Sequence, residues 1–377
     1  MPYQNIAIFA DTPIQIFFTL VFSEHYSMRS RTDVYIIDEF SGSRRSMEAL
    51  KHSGLFRNVY YIEKDKSKRL SLKVRKVLGL INPGSYAVNH LNCDIGEKKY
   101  DAIFLSSSSY IKTVLTFASK GSTVMAYEDG IGSYFYDLFL YAGERDYLRF
   151  TQLFHRKIQI KTMYLTSPMF YSGPDDKKIF PLGNIAGLAE SYREEIRNVF
   201  RSISDGEQKS YRPYTYIYFN QPIDRVVEIL GEEVLRKEKQ ILDAIDHCRL
   251  IVRLHPRENR TDFYNDIETD RTGYCWEMVC ERDIDESKYL IGHFSTAQFT
   301  PKLLYNKEPY LLFLFEMFDV NEDKRTEHRR CVEQIKKMYS DPTKIACPQS
   351  VDELKGFLNM ARRERTTGLV KRADTTD

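Results

Sequence analysis

Long uninterrupted hydrophobic runs are missing from this chain, and so are the short signatures that usually announce a cofactor. No G-x-x-x-x-G-K-[ST] loop occurs, and no G-x-G-x-x-G follows the first apolar stretch, which argues against ATP and nicotinamide dinucleotides. Six cysteines (Cys93, Cys248, Cys275, Cys280, Cys331 and Cys347) include no C-x-x-C pair. That spacing excludes a disulfide framework and a zinc ribbon, and it fits a reducing compartment. Excess charge of one sign is missing too: 55 Lys and Arg stand against 53 Asp and Glu, interspersed, for a net +2. The balance argues neither for nor against nucleic acid, since basic and acidic residues are interspersed, and no nucleic-acid partner is expected. The apolar beginning, MPYQNIAIFADTPIQIFFTLVF, has no basic segment before it and is interrupted by Asp11, Pro13 and Gln15. It reads as a strand and a helix rather than a signal peptide or a membrane span, and a cytoplasmic location is expected. Tryptophan is nearly absent, with one residue, Trp276.

What is present is an ordinary globular composition, 42% hydrophobic and 29% charged, in 377 residues, enough for two domains with cores of their own. Tyr (26) and Phe (23) are abundant; such rings suit sugar and nucleotide surfaces and equally suit strands. The stretch Arg249–Glu258, RLIVRLHPRE, organises the rest. A short apolar run exits into His255-Pro256 and charge, which reads as a buried strand ending at a loop. Pro256 biases His255 away from helix and keeps its imidazole at the strand exit, although strand termination alone would explain both residues.

Strands and helices alternate along both halves, the pattern of parallel βαβ units. In the first half, strands are expected at Asn5–Ala10, Asp33–Ile37, Asn58–Glu63, Asp101–Leu105 and Thr123–Tyr127. Helices are expected at Ile14–Tyr26, Ser43–Leu55, Ser67–Leu80 and Ile111–Lys120, the first capped by Asp11 or Thr12 with Pro13 in its opening turn. Aromatic helical material (Tyr134–Phe154), a strand-like Lys161–Leu165 and a charged helix Leu188–Ser202 follow. The polar stretch Ser204–Ser210 is the expected domain boundary, dividing the chain into residues 1–205 and 206–377. The second half repeats the alternation. Its strands are Tyr214–Phe219, the run into His255, Tyr289–Gly292 and Pro309–Phe315. Its helices are Arg225–His247, Ala297–Tyr305, Glu327–Tyr339 and Val351–Arg365, before a tail expected to be disordered.

Chemistry is expected where strands end, because ligands of open α/β sheets collect beyond the carboxyl ends of the strands. Tyr127-Glu128-Asp129-Gly130-Ile131-Gly132 brings two carboxylates to such an exit. Either can take a proton from an acceptor hydroxyl, and adjacency raises one pKa; an acidic turn is the plainer reading. His255 can hydrogen-bond a leaving phosphate. Ser295-Thr296 opens a helix, where hydroxyls and free amides cradle phosphate or simply cap the helix. Glu277 can accept from ribose hydroxyls or lie on a solvated face. Asp283-Ile284-Asp285 matches a metal-binding D-x-D tripeptide but is embedded in charge, and it reads as surface; no metal site is expected.

Taken together, the ordered set Thr12-Pro13-Ile14-Gln15, Glu128-Asp129-Gly130, Gln221-Pro222, His255-Pro256, Glu277 and Gly292-His293-Phe294-Ser295-Thr296 resembles the bacterial lipooligosaccharide and capsule sialyltransferases, glycosyltransferase family 52. The likeness runs from Ile6 to about Leu312 and includes the strand-plus-proline segment Met163–Tyr171. His293, where a hydrophobic residue is commoner, and the long charged helix before His255 depart from it. The resemblance implies an α/β, GT-B-like chain, two Rossmann-like domains facing each other across a cleft. The pattern of two halves alone fits other two-domain α/β enzymes equally. It further implies a metal-independent, inverting sialyltransferase that moves sialic acid from CMP-sialic acid to a terminal sugar, galactose, of a bacterial surface glycan. The first half would bind the glycan acceptor through Thr12, Pro13, Gln15 and Gly130, and the second half the donor. Asp129 (with Glu128 beside it) or the rival Asp224 would be the base, and His255 would assist the departing CMP. Ser295, Thr296, Glu277, Pro256, Gln221 and Gly292 would hold the donor. No cofactor is required; a homodimer and peripheral contact with the inner membrane face, through basic clusters at Lys64–Lys76 and Lys355–Arg372, complete the expectation. Two competing readings keep the sites: another nucleotide-sugar donor, or a non-catalytic glycan- or nucleotide-binding scaffold.

Overall fold

The computed structural model describes residues 2–40, 42–63, 72–107, 109–134, 160–173, 176–203, 208–255, 258–272, 274–319 and 321–359. The chain separates into two units. One comprises Met1–Glu207 with Tyr274–Met278 and Leu303–Tyr305, the other Gln208–Gly273, Val279–Lys302 and Asn306–Asp377.

In the first unit the fully buried run Ile6–Ala10 (β1) is a central strand, since only a strand covered on both faces can be apolar at every position. The chain turns at Asp11 and enters α1 (Pro13–His25), where the Thr12 hydroxyl accepts from Gln15 N at 3.3 Å and Pro13 occupies the first turn. There follow β2 (Thr32–Ile37), α2 (Ser43–Ser53), β3 (Asn58–Ile62), α3 (Leu72–Ile81), α4 (Pro83–Leu91), β4 (Ala102–Leu105), α5 (Tyr110–Ala118) and β5 (Thr123–Tyr127). After residues outside the description come β6 (Thr162–Leu165), β7 (Lys178–Pro181) and α6 (Glu190–Ile203). All seven strands are parallel, in the order β3-β2-β1-β4-β5-β6-β7. Ala7 and Phe9 of β1 and Ile103 and Leu105 of β4 pack beneath Val114 and Leu115 of α5. On another flank Phe17 of α1 meets Phe200 of α6, and Tyr192 donates to Leu20 O at 3.1 Å.

The second half of the chain repeats the plan with β8 (Tyr216–Phe219), α7 (Ile223–Leu230), α8 (Glu233–Asp243), β9 (Leu250–Arg253), β10 (Thr269–Asp270), α9 (Trp276–Asp283), β11 (Tyr289–Gly292), α10 (Thr296–Tyr305), β12 (Tyr310–Phe313), α11 (Glu322–Met338) and β13 (Ile345–Ala346), the start of α9 and the end of α10 belonging to the first unit. Its parallel order is β10-β9-β8-β11-β12-β13. Both sheets therefore reverse strand order once, between β1 and β4 and between β8 and β11, and each reversal opens a crevice at the strand exits.

Several expectations are corrected. The single helix expected over Arg225–His247 is two, because the chain leaves helical geometry at Gly231. Helix α4 and edge strand β7 were not expected at all; β7 is a four-residue edge, Lys178–Pro181, with three residues exposed and a proline at its end, too short to show a strand period. Asp283 is not surface: it is buried, accepting from Tyr211 N at 2.8 Å and from the Arg212 and Arg282 guanidiniums at 3.2 and 2.8 Å. Asp285 is exposed. Most of Tyr134–Phe154, the start of the basic helix, part of the expected boundary and the tail lie outside the described residues. Among the described residues no helix is long and apolar enough to cross a membrane, and no three His, Cys, Asp or Glu side chains are arranged to hold a metal ion.

Candidate functional site

At the first crevice, the exits of β1, β4 and β5 converge on a buried polar cluster. Lys112, from the first turn of α5, has no exposed surface. Its ammonium lies 2.7 Å from Asp11 Oδ2 and donates to Ser106 Oγ (3.2 Å), Gln15 Oε1 (3.4 Å) and Ser107 Oγ (3.5 Å). A buried ammonium requires such partners, because desolvating it alone would cost several kcal/mol, on the order of the penalty for any unpaired interior ion. Gln15 also accepts from Asp11 N at 2.8 Å and donates through Nε2 to Asp129 Oδ1 at 2.5 Å. Asp129 itself is partly exposed, its backbone N–H donating to Ser133 Oγ at 2.8 Å. Burial raises the Asp129 pKa above the ordinary aspartate value, against the opposing pull of Lys112 and the Gln15 hydrogen bond.

The neighbouring Glu128 is fully interior and faces elsewhere. Its Oε2 accepts from Tyr134 OH at 2.8 Å and from Thr166 N at 2.7 Å. Burial pushes its carboxyl up to about 7 in spite of those donors. Glu128 thus ties β5 to the turn after β6, whereas Asp129 belongs to the crevice. Successive side chains at a strand exit point to opposite faces, and Gly130, with a φ of +123° that L side chains rarely adopt, turns the chain immediately after the pair. Thr12 and Pro13 begin α1 and aim Gln15 at the cluster.

The second crevice is built on Asn220, at the exit of β8. Its Oδ1 accepts from His255 N at 2.5 Å and its Nδ2 donates to Glu258 Oε2 at 2.7 Å, so the loops after β8 and β9 are held together. Glu258 also accepts from Ile223 N at 3.0 Å, satisfying an amide at the start of α7. Asp224 is exposed in that same turn. Gln221 lines a small cavity with Ile223, Val226, Val234, Leu235, Glu238 and His293. Pro256 lies outside the described residues.

After β11, Ser295 is the cap of α10, its hydroxyl accepting from Ala297 N at 3.3 Å while Gln298 reaches back to Ser295 N at 3.1 Å. Gln298 is wholly buried and donates to Leu290 O (3.2 Å) and Leu312 O (3.0 Å), joining the cap to β11 and β12. Gly292 allows this closeness, since a Cβ there would stand 3.1 Å from Phe219 O and 3.4 Å from Gln298 Oε1. Two ring stacks pin the loop: His293 on Phe318 (4.0 Å) and Phe294 on His328 (3.9 Å). Burial lowers the His328 pKa to about 4, so that ring is neutral at pH 7. His293 Nε2 faces the buried Glu238 carboxylate at 2.9 Å, and Tyr218 OH bonds the other oxygen of Glu238. Thr296 is the first residue of α10. Glu277 is buried at the start of α9, beside the equally buried Trp276, accepting from Cys275 Sγ at 3.0 Å; its carbonyl takes the Tyr305 hydroxyl at 2.8 Å.

No family model and no curated protein matches the chain. Among solved structures it is similar to spinosyn forosaminyltransferase SpnP, at 12% identity over 95% of this chain and 90% of that one, with a TM-score of 0.50. The fold is GT-B. Weaker likenesses are to the glycosyltransferase SsfS6 of Streptomyces sp. SF2575 (8% identity, 96% and 94% covered, TM-score 0.47) and to the UDP-GlcNAc 2-epimerase of Neisseria meningitidis (13%, 95% and 99%, TM-score 0.45).

Within each GT-B half, the expected residues fall into sets. Thr12, Pro13, Gln15, Asp129 and Gly130 share the first crevice; Gln221, Asp224, His255, Gly292, Ser295 and Thr296 share the strand exits of the second half. Glu128 stands apart, and Glu277 groups with the first unit. Sequence reasoning passed over Lys112, Asn220, Glu238, Glu258 and Gln298. Lys112 alone had a signal, as a lone cation in the apolar run Tyr110–Ala118.

Proposed function

We propose that the chain is a nucleotide-sugar-dependent glycosyltransferase, and more narrowly an inverting sialyltransferase that uses CMP-sialic acid without a metal. The observation that carries the reading is Asp129, a carboxylate of raised pKa at a strand exit beside the β1/β4 reversal. SpnP, a forosaminyltransferase by name, shares the fold, and the ordered motifs that resemble sialyltransferases favour the finer reading.

The reaction is one displacement. The acceptor oxygen forms a bond to the anomeric carbon as the bond from that carbon to the CMP phosphate oxygen breaks, and the acceptor proton passes to Asp129. His255 donates a hydrogen bond to the departing phosphate, and the amides at the start of α10 receive its charge. General-base help and leaving-group stabilisation are each worth on the order of 10²-fold or more. Asp224, exposed to solvent, is the weaker base candidate. The test is calorimetric titration with CMP and then UDP in EDTA, followed by turnover with the preferred sugar donor. CMP binding with sialyl transfer supports the reading; preference for UDP replaces it with a hexosyltransferase on the same fold, and binding of neither ends it.

Lipid-linked acceptors suit a membrane-facing surface. Val77, Leu78 and Ile81 of α3 are exposed and follow the basic run Lys64–Lys76. Binding to anionic vesicles that weakens with salt is the expected result of co-sedimentation, and equal, salt-insensitive recovery with neutral vesicles would remove the idea.

A further inference from the structure

We propose that Lys112 is a positioning residue that fixes the amide of Gln15 and, through it, the carboxylate of Asp129. As a statement about catalysis this rests on Asp129 being the base; as a statement about the carboxylate it does not.

The argument is one of donor and acceptor polarity. A glutamine amide can be turned end for end, and its neighbours decide which end faces where. Gln15 Oε1 meets two groups that only donate: Asp11 N–H at 2.8 Å and the Lys112 ammonium at 3.4 Å. A turned amide would press its NH2 against both. Nε2 is therefore committed to Asp129 Oδ1, 2.5 Å away, as a donor. A donor aimed at a carboxylate favours its ionised form, the one that can accept a proton.

Lys112 is itself fixed. It is fully buried, and Asp11, Ser106 and Ser107 hold its ammonium from the exits of β1 and β4. The groups bearing on Asp129 are Lys112 from α5, Asp11 from the β1–α1 turn, Gln15 from the first turn of α1, Ser107 after β4 and Tyr127 from its own strand. Lys112 is the cation of this set: its charge lowers the Asp129 pKa directly, and the Asp11 charge opposes it more weakly. Lys112 therefore bears on Asp129 twice, by its charge and by setting the sense of the Gln15 dipole, and Gln15→Leu isolates the second.

The test is an NMR pH titration of the full chain carrying carboxyl-labelled aspartate, with Asp129→Asn identifying the resonance. Two variants are compared with the wild type. Gln15→Leu removes the donor and leaves the Lys112–Asp11 pair in place. Asp11→Asn with Lys112→Met removes the ammonium without stranding a buried charge. In both, the Asp129 titration moves to higher pH, and the acid limb of kcat moves with it. On that limb kcat falls about tenfold, with KM changed less. Midpoints that coincide with the wild type in Gln15→Leu overturn the proposal, even if the double variant does not fold. A wild-type chain that transfers no sugar overturns the functional reading instead, and the titration still decides the role of Lys112.

Discussion

Asp129 and Glu128 are adjacent in sequence, yet the fold gives them opposite tasks. Asp129→Asn keeps the size and the Gln15 contact but cannot accept a proton. Transfer is expected to fall 10²- to 10⁴-fold, on the order of a lost general base, with the melting temperature unchanged or higher because a desolvated carboxylate is gone. Steady-state turnover and a thermal melt check the two parts. Glu128 should show itself in stability instead. Its folded pKa of about 7 exceeds the reference 4.5, so between those values the native state binds more protons than the unfolded chain. Stability is therefore complete below about pH 4.5 and falls as pH rises towards 7, by up to about 3 kcal/mol. Glu128→Gln should flatten that decline in denaturant titrations across the window; an unchanged slope would show that Glu128 does not cause it. At this scale the exit sequence Glu-Asp-Gly was legible as chemistry, but the split between the two carboxylates was not. Tyr134, Thr166 and Gln15, which separate them, are distant in sequence or invisible to any local pattern.

Among the elements, the strands were the most legible, because a strand covered on both faces must be apolar throughout. Tyr289–Gly292 has the expected limits, and Ile6–Ala10 differs from expectation by one residue. Legibility failed where burial is partial or the pattern continues through a break. Strand β7 is an exposed edge, and α7 and α8 read as one charged helix across Gly231. Polar residues that act as fasteners were also hidden. Gln298 reads as an ordinary helix residue, yet it joins the α10 cap to two strands. Gln298→Met preserves volume and strips two buried carbonyls, of Leu290 and Leu312, and the half-buried Ser295 amide of this partner. It should cost about 2–4 kcal/mol in chemical denaturation, on the order of several unsatisfied groups, and a loss under 1 kcal/mol would contradict the fastening role.

For the whole molecule, two Rossmann sheets with the same single reversal imply two crevices of different chemistry: one built on a Lys–Asp–Gln cluster, the other on an Asn–Glu staple and a helix start. A nucleotide that binds the native chain stabilises it by mass action, about 2.7 kcal/mol at a hundredfold excess over Kd. CMP is expected to raise the melting temperature more than UDP at equal concentration, with EDTA present throughout. The reverse order would reassign the donor.

Trp276 stands alone in its residue type and is buried one position before Glu277. Intrinsic fluorescence of the chain, excited where tyrosine does not absorb, therefore comes from a single address. A shift in emission colour or in quenching by acrylamide reports on the start of α9 and on the surroundings of Glu277 without any label. The protein carries its own optical probe beside Glu277, a residue that the resemblance to sialyltransferases implies holds the donor.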